Sequence, residues 1–355
     1  MVNVLKIEFK KMKVLFLTPW YPSEKDAMAG LFVQKHVEAV RAQGCDVRVI
    51  HSQGWVDTWS QWKALRREGW MPDVVQLNVI QKQGFLALWL KKRYGIPYVI
   101  IEHWTGYLAE NPVVRSSGWH TRFMKILCAE AEVVMPVSDQ LTGAMQALGF
   151  RAKKWEIIDN VVDDFFYSNA AQKSTHEKNK TLLNVTCFDE PHKNVKGLLR
   201  AVKVLSEQRQ DWQLVLVGTG VDYKEVLAYA DSLNISESIL RWTGELTPQE
   251  VADEMHRADA FVLSSRYETY GVVLAEAKAA GLPILSTPVG IANEVADIIV
   301  PQEVAQHEPS KFAELIETIL WHQDTLALTS DSKERFSEKS IGKHLKDIYA
   351  QVLHA

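Results

Sequence analysis

Two carboxylates, Glu268 and Glu276, stand on either side of a glycine in the stretch Ser264-Ser265-Arg266-Tyr267-Glu268-Thr269-Tyr270-Gly271-Val272-Val273-Leu274-Ala275-Glu276. The apolar run Phe261-Val262-Leu263 before it reads as a buried strand, and a helix is expected to begin near Gly271. The first amides of a helix have no partner inside it. Those of Tyr270, Gly271 and Val272 would therefore make an anion site worth about 0.3–2 kcal/mol from the helix dipole alone. A carboxylate accepts a pair of hydrogen bonds from vicinal hydroxyls, which is what a ribose or a hexose presents. Two carboxylates flanking an anion site suit a nucleotide-sugar, with the diphosphate between sugar and ribose. The plainer account is a capping glutamate followed by a solvated one. Against it, Gly281-Leu282-Pro283 and Thr287-Pro288-Val289-Gly290 follow at the spacing of further strand-to-helix loops.

A second candidate ends another strand. Pro97-Tyr98-Val99-Ile100-Ile101-Glu102-His103-Trp104-Thr105-Gly106-Tyr107 is apolar, then polar and aromatic. His103 is placed at the carboxyl end, where ligands bind in open α/β sheets.

The elements that must hold these groups come from alternation. Near-continuous apolar strands are expected at 14–17, 47–50, 74–77, 98–101, 132–135 and 155–158, with amphipathic helices between most of them. A polar stretch without periodicity, 168–180, reads as a linker. The alternation restarts with strands at 182–186, 214–217, 240–242, 260–263 and 284–286, and helices near 195–207, 224–233, 248–257, 272–280 and 309–320. A last helix is expected at 340–353. Strands of this kind make parallel sheets covered on both faces. The fold class is α/β, two doubly wound Rossmann-like domains with an interdomain cleft as the ligand site.

Composition narrows the function. A length of 355 residues suits two domains at roughly 150 each. Lys and Arg total 40 against 44 Asp and Glu, so no global basic field favours nucleic acid. Cys45, Cys128 and Cys187 are too few and too scattered for a disulfide framework or a zinc site. No apolar run reaches membrane-span length and no signal-peptide core opens the chain. A cytoplasmic location is expected, with contact at the inner face of the membrane as a further option. The lysine-spotted start before Met12 reads as an upstream start or extension.

Glu268 and Glu276, followed by Glu276-Ala277-Lys278-Ala279-Ala280-Gly281-Leu282-Pro283 and Ser286-Thr287-Pro288-Val289-Gly290, resemble the retaining glycosyltransferases of the GT-B fold, family 4 (glycosyl transferases group 1). The likeness runs over nearly the whole chain from Met12. Pro19-Trp20-Tyr21-Pro22 with Ala29-Gly30 resembles the family's first glycine-containing loop, and Val137-Ser138 the turn after its fifth strand. The segment at 157–163 resembles the one before the interdomain linker. Val217-Gly218-Thr219-Gly220 and Trp242-Thr243-Gly244-Glu245-Leu246 match loops of the donor domain.

The resemblance implies an N-terminal acceptor-binding domain at 1–165, a donor-binding domain at 166–339, and a C-terminal helix at 340–355 packing back on the first. It implies that Glu268 holds donor-sugar hydroxyls, Glu276 the ribose, and the amides of Tyr270, Gly271 and Val272 the distal phosphate. Gly244, Glu245 and Leu246 would border the base, with Gly218 in the neighbouring loop. His103 would sit near the reaction centre in a positioning role, while the departing phosphate takes the acceptor proton on the same face. The family's Gly-Arg…Lys phosphate cradle is incomplete here. Lys193 stands at the lysine position, but Thr186 and Cys187 occupy the Gly-Arg positions, and Arg266 is a candidate substitute. A lost charged contact of this kind costs about 1.5–3 kcal/mol. No Asp-x-Asp ends a strand, so no metal is expected, and leaving-group charge falls to Lys193 and the helix start.

With the donor assigned to the second domain, the first takes the acceptor, a glycan or lipid-linked hydroxyl. Nine of the twelve tryptophans precede residue 160, and ring faces pack on sugars and at membrane interfaces. Gly30, Trp104, Tyr107 and Trp59 are the acceptor-side candidates. Trp55, Trp59 and Trp62 fall on one helical stripe edged by Lys63, Arg66 and Arg67. That pattern fits either a surface on anionic lipid or packing on the domain's own sheet. The expected activity is transfer from a UDP- or GDP-linked sugar, a co-substrate and not a cofactor. The alternatives are a nucleotide-sugar 2-epimerase and a degenerate transferase that only binds.

Overall fold

Short runs of wholly buried Val, Ile and Leu make the strands, and each amphipathic connection folds back over them. The computed structural model describes residues 11–24, 29–114, 118–167, 179–323 and 333–354. The chain's first ten residues and nearly all of the expected linker lie outside them. The first unit runs β1 (Lys13–Thr18), α1 (Leu31–Ala42), β2 (Asp46–His51), α2 (Trp55–Arg67), β3 (Val74–Asn78), α3 (Gly84–Tyr94), β4 (Tyr98–Glu102), α4 (Trp119–Glu130), β5 (Val134–Pro136) and α5 (Asp139–Ala147). Its sheet is parallel, in the order β2-β1-β3-β4-β5.

The second unit begins with β6 (Lys180–Val185), α6 (Glu190–Lys193), α7 (Val195–Gln208), β7 (Trp212–Val217), α8 (Tyr223–Ser232), β8 (Leu240–Gly244) and α9 (Pro248–Arg257). It continues with β9 (Ala260–Leu263), α10 (Val272–Ala279), β10 (Ile284–Ser286), α11 (Ala292–Val295), β11 (Ile298–Ile299), α12 (Gln302–His307) and α13 (Pro309–Trp321). This sheet is also parallel, in the order β11-β10-β9-β6-β7-β8. The order reverses between β1 and β3 in one sheet and between β6 and β9 in the other. Loops at such reversals splay apart and leave a crevice at the carboxyl ends of the strands.

One expectation needs correction, and some short elements were missed. Residues 155–158 do not form a strand: only Trp155 bridges Val134. The Glu156 and Ile158 amides reach the Val134 and Pro136 carbonyls, but Pro136 has no N–H to donate back between them, so the pairing stays one-sided. The edge strand β11 escaped notice because two residues carry no periodicity. The short helices α11 and α12 escaped for the same reason.

α14 (Lys333–Phe336) and α15 (Glu338–His354) return the chain to the first sheet. Ile341, Gly342, Leu345, Ile348 and Tyr349 form the buried stripe of α15, which packs on α1. The Lys346 ammonium bonds the Gln43 carbonyl at 2.8 Å and the Tyr349 hydroxyl bonds the Gln76 side chain. By the right-handed crossover rule, α2, α3 and α4 cover the opposite face of that sheet. At the helix crossing, a Cβ on Gly342 would fall 2.4 Å from the Ala39 carbonyl oxygen. Gly342→Ala is expected to destabilise the protein by about 1–3 kcal/mol, outweighing the roughly 1 kcal/mol of helix propensity gained. Urea unfolding measures the difference.

Candidate functional site

Lys193 and Glu268 are 75 residues apart in sequence, but they follow neighbouring strands, β6 and β9, at the reversal of the second sheet. The turn after β6 enters α6, whose last residue is Lys193. Its ammonium lies 2.5 Å from Glu268 Oε1, and the Ser265 hydroxyl donates to the same oxygen at 2.8 Å. His192 Nε2 is 3.5 Å from Oε2, and its ring stacks on Tyr267 with centroids 4.2 Å apart. Burial works against the charge on Glu268, but Lys193 and His192 overcome it and bring the carboxyl down to about 2. Burial likewise opposes the Lys193 ammonium, and Glu268 holds its pKa above the ordinary value. Both groups are charged at neutral pH.

Past Glu268 the chain passes Tyr270 and reaches Gly271, the N-cap of α10, at a left-handed φ of 76°. The first amides of α10 lie outside the helix's own ladder, as the spacing predicts. Glu276, inside α10, is half-buried and faces a cavity of about 380 Å³ between the two units. Phe32 and Lys35 of α1 form one wall of that cavity. Thr186, Cys187, Gly218, Glu245, Leu246 and Val272 lie on the other. Gly244 ends β8 just before this lining, and its carbonyl accepts the Gly218 amide at 2.8 Å. Burial and the Asp163 carboxylate raise Glu276 to about 7 against the pull of Lys35, which itself pairs with Asp163 at 2.9 Å.

The first unit meets this rim directly. The Ser138 hydroxyl donates to the Thr269 carbonyl at 2.6 Å, and the Gly290 amide donates to the Gln140 side chain at 2.7 Å. Asp159 accepts the Tyr270 hydroxyl at 3.0 Å and both arms of Arg335 at 2.9 Å. β4 lies beside β5 and ends next to this contact, with His103 following it. His103 is 7% exposed, its ring lies tilted against Phe32 with centroids 4.2 Å apart, and its buried Nε2 has no partner among the described residues. Burial and the nearby His36 hold it neutral, well below the ordinary histidine value. Gly30 caps α1 at a φ of 68°, and a Cβ there would lie 2.4 Å from the Trp20 carbonyl, so this turn admits only glycine.

Several groups were not foreseen. Glu102 is fully buried and accepts four hydrogen bonds. The amides of His103 and Trp104 reach one oxygen, and the Ile80 amide and the Tyr107 hydroxyl reach the other, all at 2.9–3.0 Å. It fixes the loop that carries His103. The available signal was an acidic residue closing a wholly apolar strand. His36 donates from Nε2 to the Asp159 carbonyl at 3.1 Å; its signal was a polar residue inside the buried stripe of α1.

Three expected site residues are used elsewhere. Arg266 does not turn to the cavity, because its guanidinium bonds the Glu190 carbonyl and the Asn194 side chain. Tyr107 points inward, 3% exposed, its hydroxyl spent on Glu102. Trp59 packs edge-on against Trp89 of α3 at 5.0 Å and does not line the cavity, while Trp62 on the same stripe is buried. Trp104 remains half-buried beside His103.

Comparison with known proteins follows the same division. Residues 14–160 match the family described as Glycosyl transferase 4-like domain, and residues 168–341 match Glycosyl transferases group 1. A phosphatidyl-myo-inositol mannosyltransferase of Mycobacterium tuberculosis is 28% identical over 51% of this chain and 49% of its own. The chain thus spans about half the length of the curated mannosyltransferases it matches. An alpha-monoglucosyldiacylglycerol synthase of Streptococcus pneumoniae is 21% identical over 78% of this chain and 67% of its own. Among solved structures, a sucrose-phosphate synthase of Thermosynechococcus elongatus aligns with a TM-score of 0.75 at 16% identity, over 97% of this chain and 100% of that one. Anabaena HepE in complex with UDP and glucose aligns with a TM-score of 0.71 at 18% identity, over 96% and 100%. These two share the fold. No helix among the described residues is long and apolar enough to cross a membrane.

Lys193→Met would leave the Glu268 carboxylate buried without its cation. The expected loss at neutral pH is about 3–5 kcal/mol of unfolding free energy. In the native chain the stability linked to Glu268 is present above its ordinary value of 4.5 and is lost as pH falls toward about 2. Urea unfolding across that range should show this acid limb shrink in the variant.

Proposed function

The chain belongs to the glycosyl transferases of group 1 with a 4-like N-terminal domain, and on that premise we propose that it moves a sugar from a nucleotide diphospho-sugar to a hydroxyl of a glycan or lipid-linked acceptor. The transfer retains anomeric configuration, takes a UDP- or GDP-linked hexose, and needs no resident cofactor or metal. The observation that carries this reading is the ionised Glu268–Lys193 pair beside the start of α10, next to a two-walled cavity that Glu276 enters. The names of the lipid-modifying relatives and the UDP of the HepE complex support the donor and acceptor classes.

Roles follow from the chemistry of each group. Glu268 is anionic and can accept from two sugar hydroxyls. An ammonium has three donors, so Lys193 can keep Glu268 and still hold a phosphate oxygen of the leaving diphosphate. The first amides of α10 take further phosphate oxygens with the helix dipole behind them. Glu276 accepts the ribose diol, and Glu245 and Leu246 border the base. His103, neutral and shielded by Phe32, hydrogen-bonds the transferred sugar without adding charge at the anomeric centre. With no other carboxylate assigned as nucleophile, the departing phosphate takes the acceptor proton. A binding-only subunit is the second reading, favoured by Cys187 where a cradle arginine is expected. It would bind donor and never turn it over.

A thermal-shift series with nucleotides and nucleotide-sugars identifies the donor, because a bound ligand raises the melting point by mass action. With that donor, Glu268→Ala should lower transfer at least about a hundredfold, and an unchanged rate would remove the assignment. Glu276 generates a pH dependence. Its carboxyl titrates near 7, and only the ionised form accepts both ribose hydroxyls. Donor affinity should therefore rise up to about tenfold per pH unit below 7 and level off above it. Glu276→Gln should weaken binding and flatten the profile, as isothermal titration would record.

A further inference from the structure

The tryptophan stripe of α2 is only partly accounted for by packing. Trp62 is buried and Trp59 rests on Trp89, but Trp55 is 41% exposed, and the aromatic surface continues past α2. Trp55 meets Phe85 of α3 at 4.5 Å, and Phe85 meets Phe123 of α4 at 6.2 Å. Trp119, which opens α4, is 83% exposed, and the aliphatic Val56 and Ile126 are more than half exposed on the same helices. These helices carry eight cations against two carboxylates, in a chain whose formal charge is −4. Lys63, Arg67, Arg93 and Arg122 are exposed and pair with no carboxylate among the described residues. α2, α3 and α4 lie side by side on one face of the first sheet. They begin at the carboxyl ends of β2, β3 and β4, the edge beside His103.

A platform for a neutral glycan needs ring faces and gains nothing from a field of unpaired cations. Interfacial aromatics, exposed aliphatics and unpaired Lys and Arg on one face together match a bilayer with acidic headgroups. We propose that the outer face of α2, α3 and α4 docks on an anionic lipid bilayer. Trp55, Phe85 and Trp119 seat among the headgroups, and Lys63, Arg67, Arg93 and Arg122 lie against lipid phosphates. Docked this way, the acceptor side by His103 opens close to the membrane plane. The purpose of the surface rests on the proposed transfer to a lipid-linked acceptor, but its existence does not.

The full chain is tested by flotation with vesicles of phosphatidylcholine alone or mixed with phosphatidylglycerol. Binding is expected on the mixed vesicles and should weaken with salt. Each cation removed should cost about fivefold, so Arg67→Glu with Arg122→Glu should abolish flotation at moderate salt. Trp119→Ser should weaken it several-fold. All three positions are exposed, and unchanged thermal unfolding would show that the variants fold. Arg48→Glu is the control: Arg48 belongs to a second cationic cluster with Lys11, Lys13 and Arg41 that is lined by no aromatic side chain among the described residues, and its loss should change nothing. No flotation, equal binding to neutral vesicles, or an Arg48→Glu loss as large as the paired reversal would overturn the proposal. So would retention on a soluble polysaccharide without flotation. A chain that floats but transfers no sugar keeps this surface and rejects the transfer reading, and one that transfers without floating does the reverse.

Discussion

A carboxylate taken out of water stays ionised only where donors replace the water it lost. At Glu268 the replacements are the Lys193 ammonium and the Ser265 hydroxyl, with the His192 ring 3.5 Å away and bonded to the Tyr267 carbonyl, and the Lys193–Glu268 pair joins the turn after β6 to the loop after β9. Backbone contacts reinforce the joint. The Arg266 amide donates to the His192 carbonyl at 2.8 Å, and the Ser264 hydroxyl donates to the Lys193 carbonyl at 3.0 Å. The start of α10, the position of Tyr270 and the opening of the cavity all follow from where that loop is held. The charge that opens toward the cavity rim is thus also a charge that builds it.

The two units meet through a second carboxylate. Asp159 takes the Tyr270 hydroxyl from the second unit's rim and the Arg335 guanidinium from the returning segment, and its carbonyl takes the ring of His36 on α1. Three segments distant in sequence therefore share one residue. α1 in turn presents Phe32 both to the cavity and to His103. A shift of one unit against the other would carry Phe32 and Lys35 away from Glu276 and open the cavity, while the Phe32–His103 contact inside the first unit would move as one piece.

Cation placement differs between the inside and the outside of the molecule. Around the cavity, Lys193 is held by Glu268, Lys35 by Asp163, and Arg266 by the α6 turn, while Cys187 contributes no charge. Each of these cations is already held, and the first amides of α10 are the donors there that lie outside a helical ladder. On α2, α3 and α4 the reverse holds: Lys63, Arg67, Arg93 and Arg122 are exposed and have no carboxylate partner among the described residues. Screening lets a surface keep unpaired charge at little cost, whereas a buried site cannot.

The sequence by itself determined the α/β class, the two parallel sheets, most strand and helix positions, and the loops that hold Glu268, Glu276 and His103. Those features depend on local periodicity and on the rule that ligands gather at the carboxyl ends of strands, and both are written in residue order. Only the tertiary structure decided what each side chain holds. Arg266 was a phosphate candidate until α6 placed Glu190 and Asn194 within its reach. Tyr107 was an acceptor candidate until Glu102 claimed its hydroxyl, and residues 155–158 were a strand until Pro136 withheld an amide. Glu102 and Asp159 had no signature of their own, because a carboxylate becomes a hub only when sheet order and the return of α14 and α15 bring its donors together. Periodicity fixes which face of an element is buried. Which partner a buried group finds is set by elements far along the chain, 111 residues away for Asp159 and Tyr270.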